Sequence, residues 1–170
     1  MIQVETMVVP PWPAGDWDSL AARAVRAAIE ASAHGDIATM TTIVEVSVRY
    51  TSDDEVQTLN RDYRHKDKPT NVLSFPMVQP DLLDAINPGD DDGETLLGDI
   101  VLAHGVCTSE AREKNVAMEA HASHLIVHGT LHLLGYDHEQ GEAEAEAMEE
   151  LERTALASLG IDDPYAVREG

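Results

Sequence analysis

Residues 127–139 read VHGTLHLLGYDHE, with His128, His132 and His138 and a glycine, Gly135, between the second and third histidine. On a helix His128 and His132 lie one turn apart, only about 40° around the axis, so both imidazoles reach one point. A continuing helix would carry His138 about 240° away from that face. The chain must therefore stop and fold back, and Gly135 can take the positive φ that ends a helix. Leu133 and Leu134 would anchor that end in the core. The segment reads as two helix ligands, a glycine turn and a third ligand returned by a loop. Three neutral imidazoles suit one Zn²⁺ and leave a fourth position for water, as in catalytic rather than closed structural sites.

The spacing matches the long zinc-protease pattern H-E-x-x-H-x-x-G-x-x-H except that Gly129 stands where the glutamate belongs. Peptide hydrolysis needs that acid/base residue to protonate a poor leaving group. A phosphodiester instead needs a cation at the phosphoryl oxygens and a positioned nucleophile. A change of substrate class would make the glycine intelligible. His121 and His124 lie upstream on the same helix, either as donors supporting the site or as buried histidines. His34, His65 and His104 read as ordinary surface or strand-end residues.

Outward from this stretch, the 170-residue chain suits one domain, residues 1–170, able to bury roughly 70% of its unfolded surface. Its 43% hydrophobic and 25% charged residues are those of a globular soluble protein, and 4% aromatic content argues against a broad base-stacking sheet. Cys107 is the single cysteine, so an internal disulfide is excluded. With no apolar run of membrane-spanning length and no basic leader at the N-terminus, the expected place is the cytoplasm, without a membrane partner.

The net charge of -21 counts against nucleic acid, because phosphate binding draws on Lys and Arg. The distribution qualifies that reading. Arg61, Arg64, Lys66 and Lys68 cluster around His65, while acids gather in residues 90–94 and from Glu139 to Glu152. Such polarity permits one local phosphate site, with the acids as solvated faces.

The element order reads as follows. A first strand covers Ile2 to Val9, stopped by Pro10, Pro11 and Pro13. An Ala-rich helix covers Trp17 to Ala33. TTIVEVSVRY alternates with period two and puts Val44, Val46, Val48 and Tyr50 on one face of a strand. Ser52 and Glu55 form a capping box for a helix running to Arg64 over Val56, Leu59 and Tyr63. HKDKPTN is a loop, and NVLSFPMV an edge or bulged strand because of Pro76. A polar loop covers residues 80–94. LLGDIVLAH is the most apolar strand, followed by helices over 105–115, 118–134 and 142–159. This is an α+β order in one domain.

HGTLHLLGYDH resembles the zinc signature of the YbeY endoribonucleases, or rRNA maturation factors. LNRDYRHKDKPTNVLSFP (59–76) and LLGDIVLA (96–103) are similar to two further blocks of that family, in the same order. The resemblance spans about residues 40–160. It implies a small mixed β-sheet packed against several α-helices, with one zinc per chain held by His128, His132 and His138 at the end of a core helix. It also implies a metal-dependent hydrolase: an endonuclease maturing the 3′ end of small-subunit rRNA, with roles in ribosome biogenesis and quality control. The family's functional arginine falls on Arg64. The acidic balance suggests that ribosomal proteins or an assembly factor help deliver the rRNA precursor; DNA is not expected as a partner.

In the mechanism this favours, zinc lowers the pKa of a water toward about 7 and Arg64 holds the scissile phosphate through its planar fork. Arg64 and the zinc ligand His128 are the expected catalytic residues, and Lys66 and Lys68 would track neighbouring phosphates. Asp137 either orients an imidazole or shuttles a proton. The RNA 2′-OH is an alternative nucleophile. Two other classes stay open: a non-catalytic ribosome-assembly factor with structural zinc, and a zinc peptidase or amidohydrolase.

Overall fold

The computed structural model describes residues 1–39, 42–78, 94–137 and 141–164. Four strands, β1 (Ile2–Val8), β2 (Ile43–Thr51), β3 (Val72–Pro76) and β4 (Glu94–Ala103), form one sheet in the order β1-β2-β4-β3. β1 and β4 both run parallel to β2, and β3 runs antiparallel to β4. The sheet is therefore mixed, as the family resemblance implied. Five helices accompany it: α1 (Trp17–Ala31), α2 (Asp53–Arg64), α3 (His104–Lys114), α4 (Met118–Leu133) and α5 (Glu142–Ser158). None is long and apolar enough to cross a membrane.

The alternation in β2 decides which face is core. Val44, Val46, Val48 and Tyr50 are fully buried, while Ile43, Glu45, Ser47 and Arg49 on the other face are half-buried. α1 and α4 pack against the sheet and α5 packs on α1 and α4, together contributing Val25, Ile29, Ile126, Leu131 and Leu156 to the main core. A smaller cluster on the opposite face joins Val56 of α2 to Leu73, Val101 and Ala103. β4 is thus covered on both faces, which explains its near-continuous apolar run. A register shift against Glu45 and Val46 passes over Leu97 in β4, and Gly98 follows where β3 and α4 both approach.

Local chemistry sets the boundaries. Ser52 caps α2 by accepting from the Glu55 amide at 3.2 Å. The Glu55 carboxylate meanwhile accepts from Thr51 and from the Arg49 guanidinium, whose hydrogen bond above all holds its pKa below the usual range. α3 begins without a cap of its own, and Asp53 at the start of α2 supplies one across the fold: its Oδ1 accepts from the amides of Gly105 (2.8 Å) and Val106 (3.2 Å). Trp12 packs edge-on against Trp17, Tyr50 and His104 and donates its indole N–H to the Thr51 carbonyl at 2.8 Å. His104 is therefore part of an aromatic cluster rather than a plain strand end. Tyr63 departs from its expected place on the apolar face of α2. It is 69% exposed, braced edge-on by Phe75 of the edge strand. The acidic loop expected over 80–94 lies, apart from Glu94 at the start of β4, outside the described residues.

Candidate active site

α4 is the centre of the site. It runs buried from His121 to Val127 and ends at Leu133 beside Gly135, whose φ of 97° reverses the chain as the sequence requires. The turn is closed by the amides of Gly135, donating to His132 O at 3.0 Å, and Tyr136, donating to Leu131 O at 3.1 Å. Tyr136 in turn ties the turn to the segment just after α1 by accepting from the Ala33 amide at 3.1 Å.

His128 and His132 meet as their spacing demands, with their Nε2 atoms 3.0 Å apart. Two imidazole nitrogens bound to one tetrahedral Zn²⁺ at about 2.0–2.1 Å would stand about 3.3 Å apart, so the pair is already within a few tenths of an ångström of that arrangement. The Nδ1 of His128 lies 2.6 Å from Oε1 of Glu152, which fixes the proton on Nδ1 and leaves Nε2 as a lone-pair donor. The chemistry of the donors therefore fits a metal ion. His138, the expected third ligand, lies outside the described residues, and no third donor joins the pair among those described.

These two histidines line a cleft of about 720 Å³ that is lined as well by Arg64, Lys66, Lys68 and Asn71. The basic wall is constructed rather than loose. His65 takes a left-handed conformation (φ 60°) to end α2 and is exposed, as expected of a surface residue. The Lys66 amide then donates to Asn60 O, and buried Asn60 donates its side-chain amide to Lys68 O at 2.9 Å. Among the described residues no carboxylate is within ion-pair distance of Arg64, Lys66 or Lys68. Arg64 is thus not engaged in an ion pair with any of the described acids. Asp137 lines the same cleft.

Gly129, one residue after His128, packs against β4: a Cβ there would stand 3.1–3.3 Å from three carbons of Ile100. A side chain at 129 would therefore press on Ile100 of the sheet. Here the glycine has a packing reason alongside the chemical one.

Three participants were missed from sequence. Glu152 was counted among solvated acids, yet it is 1% exposed; its burial is hinted at by Met148, Ala155 and Leu156, which share its helical stripe. Asn71, in the loop before β3, donates to both carboxylate oxygens of Glu110 at 3.0 and 3.3 Å. Glu110 also meets His121 Nε2 at 2.8 Å, and burial pushes the His121 pKa below its ordinary value despite that partner. His124 approaches Glu152 at 3.5 Å through Nε2. Both upstream histidines are buried and carboxylate-partnered; His124 alone reaches the carboxylate that holds His128.

The comparisons with known proteins agree with this architecture. A family model described as Endoribonuclease YbeY matches residues 15–160. An Endoribonuclease YbeY from Rhizorhabdus wittichii is 60% identical across 99% of both chains. Another from Sphingopyxis alaskensis is 58% identical across 98% of both. The solution structure of TM1509 from Thermotoga maritima has the same fold, with a TM-score of 0.55 at 23% identity over 100% of this chain and 99% of that one.

Proposed function

This chain belongs to the Endoribonuclease YbeY family, and from that premise we propose that it is a zinc-dependent endoribonuclease that matures the 3′ end of small-subunit rRNA in the cytoplasm. The observation that carries this reading is the convergence of the His128 and His132 Nε2 atoms in a cleft also lined by Arg64, Lys66 and Lys68. His128, His132 and His138 would hold the metal. Bound there, zinc supplies a Lewis acid for the phosphoryl oxygens and lowers the pKa of a water toward about 7.

The chain's own residues do the rest. Arg64 grips two phosphate oxygens with its planar fork, and Lys66 and Lys68 hold flanking phosphates as point charges. The loop bonds from Asn60 keep those charges on the cleft wall. RNA is the substrate, and the net charge of -21 leaves delivery to ribosomal proteins or assembly factors. Gly129 removes the base a peptidase would need, which disfavours peptide hydrolysis.

Cleavage of a small-subunit rRNA precursor by wild-type protein, His132→Ala and Arg64→Ala, purified identically, tests this. Specific cuts lost in both variants support the reading. Equal cutting in all three samples would mean a contaminating nuclease and would defeat it.

A further inference from the structure

Glutamate is almost never fully buried without a partner, because removing its charge from water costs several kcal/mol. α5 is rich in glutamates, and Glu142, Glu144, Glu146 and Glu150 all face solvent. Glu152 alone among its buried residues is charged, set on a stripe with Met148, Ala155 and Leu156. Its carboxylate faces imidazoles: Oε1 is 2.6 Å from His128 Nδ1 and 3.5 Å from His124 Nε2. The other nitrogen of that His128 ring is the one that meets His132 at 3.0 Å. One buried charge thus stands directly behind one ring of the histidine pair.

Resting on the metal reading above, we propose that Glu152 is a positioning residue for the metal. It holds the proton on His128 Nδ1, fixes the ring plane, and makes Nε2 a better lone-pair donor toward the ion. His124, from one turn earlier on α4, steadies the carboxylate from the other side. The desolvation cost of Glu152 is retained because a carboxylate behind a ligand imidazole commonly raises metal affinity 10- to 100-fold. α5 is thereby more than a packing helix: it carries half of a ligand-orienting pair whose other half lies on α4.

The test uses the full chain and reads metal binding rather than turnover. Glu152→Gln keeps the volume and an acceptor oxygen but removes the charge; Glu152→Asp keeps the charge and withdraws it by one methylene. Glu146→Gln, on the exposed face of the same helix, is the control. Zinc affinity is measured by competition with a chromogenic chelator, and ligand geometry by the visible spectrum of the Co²⁺-substituted protein. The expected result is zinc held about 10- to 100-fold more weakly by Glu152→Gln, with a shifted Co²⁺ spectrum and unchanged helical circular dichroism. Glu152→Asp should fall between it and wild type, and Glu146→Gln should match wild type. Wild-type affinity and spectrum in Glu152→Gln would overturn the assignment of Glu152 alone. A folded wild-type protein that takes up no zinc would overturn it together with the metal reading.

Discussion

Gly98→Ala should damage the wall of the cleft and the fold at once. Gly98 pairs with Pro76 across the β3–β4 ladder, and Pro76 lines the cleft. A Cβ at position 98 would stand 2.5 Å from the Phe75 carbonyl oxygen, 2.6 Å from Leu133 Cδ2 and 3.2 Å from Pro76 Cα. Two of these three contacts are with backbone of the paired strand, which cannot swing aside as a side-chain tip can. The third is with the residue after His132. Relief therefore requires β3 to part from β4 or the end of α4 to lift from the sheet. Overpacking of this kind costs typically 1–3 kcal/mol, and contact with a ladder carbonyl places Gly98→Ala at the top of that range, about 3 kcal/mol. At about 2–4 °C per kcal/mol for a chain of this size, the melting temperature should fall by about 6–12 °C. Thermal unfolding followed by far-ultraviolet circular dichroism measures it. A melting temperature within about 2 °C of wild type would show that the strand accommodates the methyl and that the reasoning about this junction is wrong.

Four further outcomes are expected. Asp53→Ala removes the acceptor shared by the Gly105 and Val106 amides, and should cost about 1–2 kcal/mol in urea unfolding; a loss below about 0.3 kcal/mol would deny the cap. Cys107 is buried, and burial pushes its thiol up to about 12, so iodoacetamide at pH 8 should leave it untouched in the folded chain and label it in urea; equal rates would refute this. Burial lowers the His121 pKa, so the folded state resists its protonation. Its contribution to stability is complete above the unfolded value near 6.5 and declines as pH falls below it. His121→Gln should flatten the loss of stability of metal-free protein between pH 7 and 5, and an unchanged slope would count against it. Lys66→Ala with Lys68→Ala should weaken RNA binding and reduce the slope of log affinity against log salt by about 1.4, at about 0.7 per single-strand phosphate contact; an unchanged slope would remove both lysines from the interface.

The site was legible where its geometry is local. His128 and His132 share a helix turn, and Gly135 declares the reversal, so spacing alone brought the two nitrogens together. The strand β2 was equally plain, because its period-two pattern is written by a single buried face. What escaped notice depends on approach between distant segments. Glu152 reaches His128 only because α5 packs beside α4, and the acid-rich sequence around it disguised one buried position. Asp53 caps a helix about fifty residues later, which no local capping signal contains. Tyr63 kept helical spacing with Val56 and Leu59 but meets only Phe75 of the edge strand with its ring and stays exposed, so the apolar period alone did not bury it. The parallel pairing of β1 with β2 likewise follows from the α1 connection between them, and that of β2 with β4 from the connection through α2 and β3, not from any strand's own residues.

The central claim joins a metal held by the α4 histidines to RNA cleavage. The most direct measurement strips the protein with a chelator, titrates zinc back, and follows cleavage of a small-subunit rRNA precursor at each addition. The account predicts no specific cutting by the stripped protein and recovery that saturates at one zinc per chain, with no recovery in His132→Ala. Cutting that survives complete removal of metal, at the same sites and rate, would contradict it.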